Sequence, residues 1–213
     1  MGCCGSSGTG TISSITISLF GLDNAGKTCI SRALVGKFND FDTVPTVGFS
    51  TTHLSYNDSI IEIYDLGGSA RFRSVWQRYF AFISGFIWVV DSADKDKFEE
   101  SKQTLKQIIN NSMMTGKPYV IVANKSDLQG HASIDEIRRE LDIPNDIQII
   151  EASATESTDK CNPGLTKALN SLLSQISENY KFLSEKIIND IEKQKEIQRQ
   201  ESEEKMARLR QMK

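Results

Sequence analysis

The sequence has no apolar stretch long enough to cross a bilayer. Its longest run, FAFISGFIWVV at residues 80 to 90, holds 11 residues, against the roughly 20 that a spanning helix needs. That run reads instead as a buried strand joined to the end of a preceding helix. Cysteine is sparse, with four residues in 213. Cys3 and Cys4 are adjacent, Cys29 and Cys161 stand apart, and no spacing resembles a zinc site or a disulfide frame. His53 and His131 are the two histidines, and neither belongs to a triad visible in the sequence. A dominant charge is missing as well: 25 basic against 28 acidic residues leave a net charge of -3. With no basic stripe, the electrostatic footprint of a nucleic-acid partner is absent. The first residues carry neither a basic leader nor an apolar core, which predicts a chain that stays in the cytosol.

What is present suits one globular domain with an appendage, and apolar residues at 38% suffice for a core. Residues 1–14, MGCCGSSGTGTISS, are small and uncharged, as in a flexible lead. From Ile15 onward, short β-rich runs alternate with helical ones. Strands are expected at 15–20, 49–56, 59–64, 86–90, 119–123 and 147–151, with a turn at Asn57 and Asp58. Helices are expected at 27–38, 97–112 and 134–141, and from Leu165 on. This order predicts an α/β fold, a mostly parallel six-stranded sheet with helices on both faces and one antiparallel hairpin near an edge. Neither proline nor glycine follows Gly164, so an uninterrupted helix is expected to the C-terminus. Its apolar positions keep helical spacing up to Ile191, after which Glu, Lys, Arg and Gln dominate. The expected organisation is a lead at 1–14, a domain at 15–178 and a long, partly projecting charged helix at 179–213.

GLDNAGKT, Gly21 to Thr28, fits GxxxxGK[ST] directly after a strand and at the start of a helix, where a phosphate loop must lie. Backbone N–H groups from Asp23 to Cys29 would surround phosphate oxygens, Gly26 allows close approach, Lys27 supplies a cation and Thr28 a hydroxyl for Mg2+. NKSD, Asn124 to Asp127, follows another strand and offers an amide and a carboxylate to a guanine edge, with the Lys125 stem over the base. Ser153 and Ala154, after the next strand, offer backbone N–H groups to the same base. In DLGG, Asp65 is placed to hold Mg2+ through water and the Gly68 N–H to reach a terminal phosphate, while Thr46 of PTVGFS closes on the metal from the other side. Two segments anchored by one phosphoryl group make an order–disorder switch.

These segments, in this order, resemble the five nucleotide-binding segments of Ras-like GTPases. PTVGF and WQRYF (Trp76 to Phe80) are similar to the ADP-ribosylation factor branch in particular, over about residues 15 to 178. Within it, the cysteine pair, the phrase GKPYVIVANKSD, the residue after DLGG and the long charged helix look like a ciliary, membrane-anchored subgroup. The resemblance implies GTP/GDP and Mg2+ as ligands and a location on the cytoplasmic face of a cilium or flagellum membrane. It also implies guanine nucleotide exchange or scaffold activity toward a second ADP-ribosylation-factor-like GTPase, through the switches and the long helix. Phe49, Tyr64 and Tyr79 take the places expected to contact effectors, although Tyr64 stands where the branch usually has tryptophan. The amphipathic N-terminal helix usual in the branch is not legible here. MGCCGS instead fits N-myristoylation at Gly2, and because one such chain holds a membrane only marginally, S-palmitoylation of Cys3 and Cys4 would complete the anchor.

Ser69 occupies the position where these GTPases usually carry the glutamine that orients the attacking water. Its side chain is too short for that task, so no catalytic residue is assigned and unaided hydrolysis is expected to be very slow. Gln77 swinging in is the other route to the same chemistry. The alternative is a turnover GTPase in vesicle traffic whose partner protein compensates for Ser69. For the tail, a solvated extension and a partner platform both fit the residues.

Overall fold

The computed structural model describes residues 14–38, 40–56, 59–157 and 160–211. Among them, six strands form one sheet in the order β2-β3-β1-β4-β5-β6. The strands are β1 Ser14–Phe20, β2 Phe49–Tyr56, β3 Ser59–Leu66, β4 Gly85–Asp91, β5 Tyr119–Asn124 and β6 Ile149–Glu151. All pairings are parallel except β2 with β3, whose antiparallel register runs from Phe49 against Leu66 to Tyr56 against Ser59. The expected turn residues Asn57 and Asp58 lie outside the described residues, as do the expected lipid sites Gly2, Cys3 and Cys4.

Alternation along each strand builds two cores. Ile15, Ile17, Leu19, Ile61, Ile63, Ile87, Val89, Val120 and Val122 face α1 (Lys27–Leu34) and α5 (Pro163–Glu178). Phe20, Leu66, Phe86, Trp88, Val90 and Ile121 face the other way, toward α3 (Phe98–Ile109) and α4 (Ile134–Leu141). With helices on both sides, the inner strands are apolar nearly throughout, and every residue of β4 but Asp91 is buried. Between β3 and β4 lie the single turn α2 (Ala70–Arg73) and two 3-10 turns, Trp76–Arg78 and Phe80–Phe82.

Most strands match the expected bounds to within a residue, but β3 runs on to Leu66 and α3, expected at 97–112, spans Phe98–Ile109; three further elements differ. The first helix stops at Leu34 rather than Phe38, because Gly36 takes a left-handed φ of 80°. The strand expected from Ile147 begins at Ile149. The C-terminal helix is two helices: α5 starts at Pro163, capped by the Asn162 side chain, and ends at Asn179, whose φ and ψ are -107° and 14°. The Asn179 side-chain amide donates to the Gln175 carbonyl at 2.9 Å, a local bond that competes with helix continuation. The second helix, α6, spans Tyr180–Gln211. Its first part is docked on the domain through Leu183, Asp190 and Gln194, all buried, while every residue from 195 to 208 is exposed.

Candidate functional site

The parallel strands end together, and the residues singled out in the sequence gather at their carboxyl ends. The loop after β1 turns through Gly21 (φ 148°), Asn24 (φ 61°) and Gly26 (φ 93°). A Cβ on Gly21 would sit 2.3 Å from the Val89 carbonyl oxygen, and one on Gly26 would sit 2.1 Å from the Asn124 amide nitrogen. Only glycine fits either place. The loop delivers Lys27 into the interior, where its Nζ donates to the carbonyls of Gly21 (2.9 Å) and Leu22 (2.6 Å). Burial pushes this ammonium down to about 8, although the charges of Asp65 and Asp23 pull it up.

Thr28, Thr46 and Asp65 come from three different segments and meet. Thr28 Oγ1 donates to Asp65 Oδ2 at 2.6 Å and lies 3.0 Å from Thr46 Oγ1, which itself reaches Asp65 Oδ2 at 3.4 Å. Asp65 Oδ1 is buried with no hydrogen-bond partner among the described residues. Burial raises the Asp65 carboxyl, and the Thr28 hydrogen bond and the Lys27 charge oppose that rise. An orphaned carboxylate oxygen beside two hydroxyls is the hard-oxygen donor set that suits Mg2+. Gly68 is packed directly on the loop after β1: a Cβ on it would lie 2.5 Å from both Asp23 N and Lys27 Nζ.

The two segments that carry Thr46 and Gly68 are tied to each other and to the body. Gly67 N donates to the Gly48 carbonyl at 2.9 Å, and the Trp76 indole donates to the Gly67 carbonyl at 2.9 Å. Arg73 Nε donates to the Gly68 carbonyl at 2.8 Å, and the same guanidinium pairs with Glu100 at 2.8 Å and lies 3.8 Å from Asp23. Lys97 adds a second cation 3.7 Å from Asp23. Sequence reasoning missed Arg73 and Lys97, because a single cation in a short helical turn has no pattern to mark it.

On the other side of the loop, Asn124 is almost fully buried and bridges two segments. Its amide donates to the Ala25 carbonyl at 2.8 Å, and its Oδ1 accepts the Ala154 N–H at 3.2 Å. Lys125 takes a left-handed φ of 65°, and its ammonium pairs with Asp91 at 2.6 Å. Asp127 is exposed beside them, and Ser153 is buried with its hydroxyl accepting the Glu156 N–H at 3.3 Å. Cys29, in the first turn of α1, is half-buried with Sγ 3.8 Å from the Phe41 carbonyl.

Ser69 caps α2, and its Oγ is buried without a hydrogen-bond partner among the described residues. Gln77 is exposed and lines a cleft facing α6. The rings of Phe49, Tyr64 and Tyr79 form a triangle with centroids 4.8 to 6.3 Å apart. Burial, reinforced by Glu62, raises the Tyr64 phenol to about 12. Among the described residues no His, Cys, Asp or Glu cluster could hold a metal, and no helix is long and apolar enough to cross a membrane.

Comparison with known proteins agrees with this geometry. The model of the ADP-ribosylation factor family matches residues 7–178. ADP-ribosylation factor-like protein 13B of Chlamydomonas reinhardtii is 46% identical over 123 residues, which make up 58% of this chain but only 23% of that protein. ADP-ribosylation factor-like protein 4C of Homo sapiens is 33% identical over 190 residues, 85% of this chain and 96% of that protein. Among solved structures, the Arl6 BBS3 small GTPase of Trypanosoma brucei, with the nucleotide analogue GppNp bound, aligns with a TM-score of 0.67. It covers 78% of this chain and 99% of that one, and at 23% identity it speaks for the fold alone.

Proposed function

The chain belongs to the ADP-ribosylation factor family of small GTPases, and we propose that it is a membrane-bound GTP switch that hydrolyses its nucleotide very slowly unaided. In this reading the backbone from Asp23 to Cys29 and the Lys27 ammonium hold the phosphates, and Thr28, Thr46 and Asp65 hold Mg2+, the last through water. Bound there, the metal would offset the charge of the outer phosphates. Asn124, Lys125 and Asp127, with the N–H groups of Ser153 and Ala154, take the guanine. The Gly68 N–H and Thr46 are the two anchors that a terminal phosphoryl group would draw together.

The observation that carries slow hydrolysis is the Ser69 hydroxyl. It is buried and unpartnered at the start of α2, while Gln77, the side-chain amide of residues 69–80, faces the cleft against α6. Within residues 69–80, then, neither side chain is placed to orient an attacking water as the usual glutamine would. Two measurements test the reading. Chromatography of nucleotide released from purified protein is expected to show GDP or GTP, and equal uptake of ATP would refute it. In single-turnover assays Ser69→Gln is expected to hydrolyse GTP at least about tenfold faster than the wild type; an unchanged rate would end the water-positioning account.

The resemblance to the ciliary subgroup implies the rest: acylation of Gly2 with Cys3 and Cys4, the cytoplasmic face of a ciliary membrane, and exchange-factor or scaffold action on another ADP-ribosylation-factor-like GTPase. The platform for that partner would be the Phe49, Tyr64 and Tyr79 triangle together with switch II (residues 69–80) and the exposed half of α6. Supporting this is a cleft of about 720 Å³ between Ser74, Val75, Gln77 and Arg78 on one side and Gln194, Ile197, Gln198 and Glu201 on the other.

A further inference from the structure

α6 is fastened to the domain in two chemically different ways. Near its start the contact is apolar: Leu183 is buried in the main core, and the Phe182 ring covers Gly116, where an added Cβ would lie 2.9 Å from Cε1. Two turns later, on the same face, the contact is charged. Asp190 is 2% exposed, with its Oδ2 3.5 Å from Lys117 Nζ and 3.1 Å from Lys186 Nζ. The Lys117 side chain is fully buried and also donates to the Phe80 carbonyl at 2.6 Å. Lys186 donates to the Ser112 carbonyl at 3.1 Å. After Gln194 the helix is exposed and the cleft against switch II opens.

Phe80 ends switch II, and it belongs to a continuous set of contacts that starts beside the nucleotide loop. Trp76 holds the Gly67 carbonyl and packs on Phe20 with centroids 5.2 Å apart. Phe20, immediately before the loop, meets the Phe80 ring edge-on at 5.7 Å. Lys117 joins the Phe80 carbonyl to Asp190. An apolar pair at positions 117 and 190 would dock the helix at lower desolvation cost, so the buried charges contribute direction rather than net attraction.

We propose that the Lys117–Asp190–Lys186 cluster is a latch coupling α6 to the end of switch II, so that nucleotide-dependent movement of residues 69–80 redirects the exposed half of the helix. The inference rests on the reading of this chain as a nucleotide switch with α6 as its partner platform, and it adds how the platform is controlled. Lys117 and Asp190 are positioning residues: neither touches the nucleotide site.

Amide hydrogen exchange on the full chain, loaded with GDP or with a non-hydrolysable GTP analogue, tests the latch. In the wild type, exchange over residues 187–198 is expected to differ by about threefold or more between the two forms. Asp190→Ala is expected to raise exchange there about tenfold in both forms. The double variant Lys117→Met, Asp190→Leu is expected to restore protection yet lose the difference between nucleotides. A wild type with no difference, or a double variant that keeps it, overturns the latch. In either case guanine nucleotide in the purified protein leaves the switch reading standing, whereas protein without it sinks both.

Discussion

Asp127 stands exposed at the mouth of the base site while its neighbours Asn124 and Lys125 are held by protein partners, so its carboxylate is the group free to pair with a ligand. A carboxylate accepts two N–H groups from a guanine edge; an amide in its place presents one acceptor and one donor and suits a purine with a carbonyl at that edge. Asp127→Asn is therefore expected to weaken GTP binding by about 10- to 150-fold and to bind xanthosine triphosphate better than GTP, as read by competition. Lys117 supplies a prediction of a different kind. Burial, opposed by Asp190 and assisted by Lys186, holds its ammonium down to about 8 from an ordinary 10.5. Below pH 8 both the folded and the unfolded chain carry this proton, and the cost of burying the charge is fully present. Between pH 8 and 10.5 the folded chain sheds a proton that the unfolded chain keeps, so stability climbs with pH. The Lys117→Met, Asp190→Leu variant is thus expected to exceed the wild type by about 1–4 kcal/mol at pH 7, an advantage that narrows toward pH 10. Denaturant melts at the two pH values check this, and a gap that widened would contradict the buried-charge account.

At the scale of elements, Gly116 is the position where the docking of α6 is most exposed to test. Its φ of 77° is left-handed, and the Phe182 ring occupies the space a side chain would need. Gly116→Ala is expected to cost about 1–2 kcal/mol for the backbone alone, lowering the thermal midpoint by roughly 2–8 °C, with the loss concentrated in protection of residues 180–194. Elements of this kind divide what could be read in the sequence from what could not. β2 and α4 were legible because alternation or helical spacing coincides with one-sided burial, and the GLDNAGKT and NKSD segments because their chemistry demands fixed spacing. The break at Asn179 was not, since it rests on a side-chain bond to Gln175 rather than on proline or glycine. Nor were Arg73 and Lys97: their role beside Asp23 exists only once α3 is folded against the loop after β3. Asp190 looked like one more acid in a charged helix, because a partner 73 positions earlier in the chain leaves no local trace.

For the whole molecule, the two halves of α6 carry different duties, and truncation separates them. Removing residues 195–213 takes away helix that is exposed from 195 to 208 and most of the α6 wall of the cleft; the buried contacts at Leu183, Asp190 and Gln194 remain. Stability and nucleotide retention are therefore expected to match the full chain, while the exchange activity proposed above is expected to fall to the uncatalysed rate. Removing residues 180–213 is different. It uncovers the apolar surface that Leu183 fills and strips Lys117 of its counter-charge while leaving the ammonium beside the Phe80 carbonyl. Loss of a buried leucine contact costs about 2–5 kcal/mol, so this shorter chain is expected to melt well below the first truncation and to release nucleotide faster, because Phe80 and Trp76 brace the segment that carries Gly68. Thermal melts and release of a fluorescent GDP analogue from both truncations give the comparison. Equal stability for the two would mean that α6 is an appendage throughout its length, whereas the expected order places its first half inside the switch.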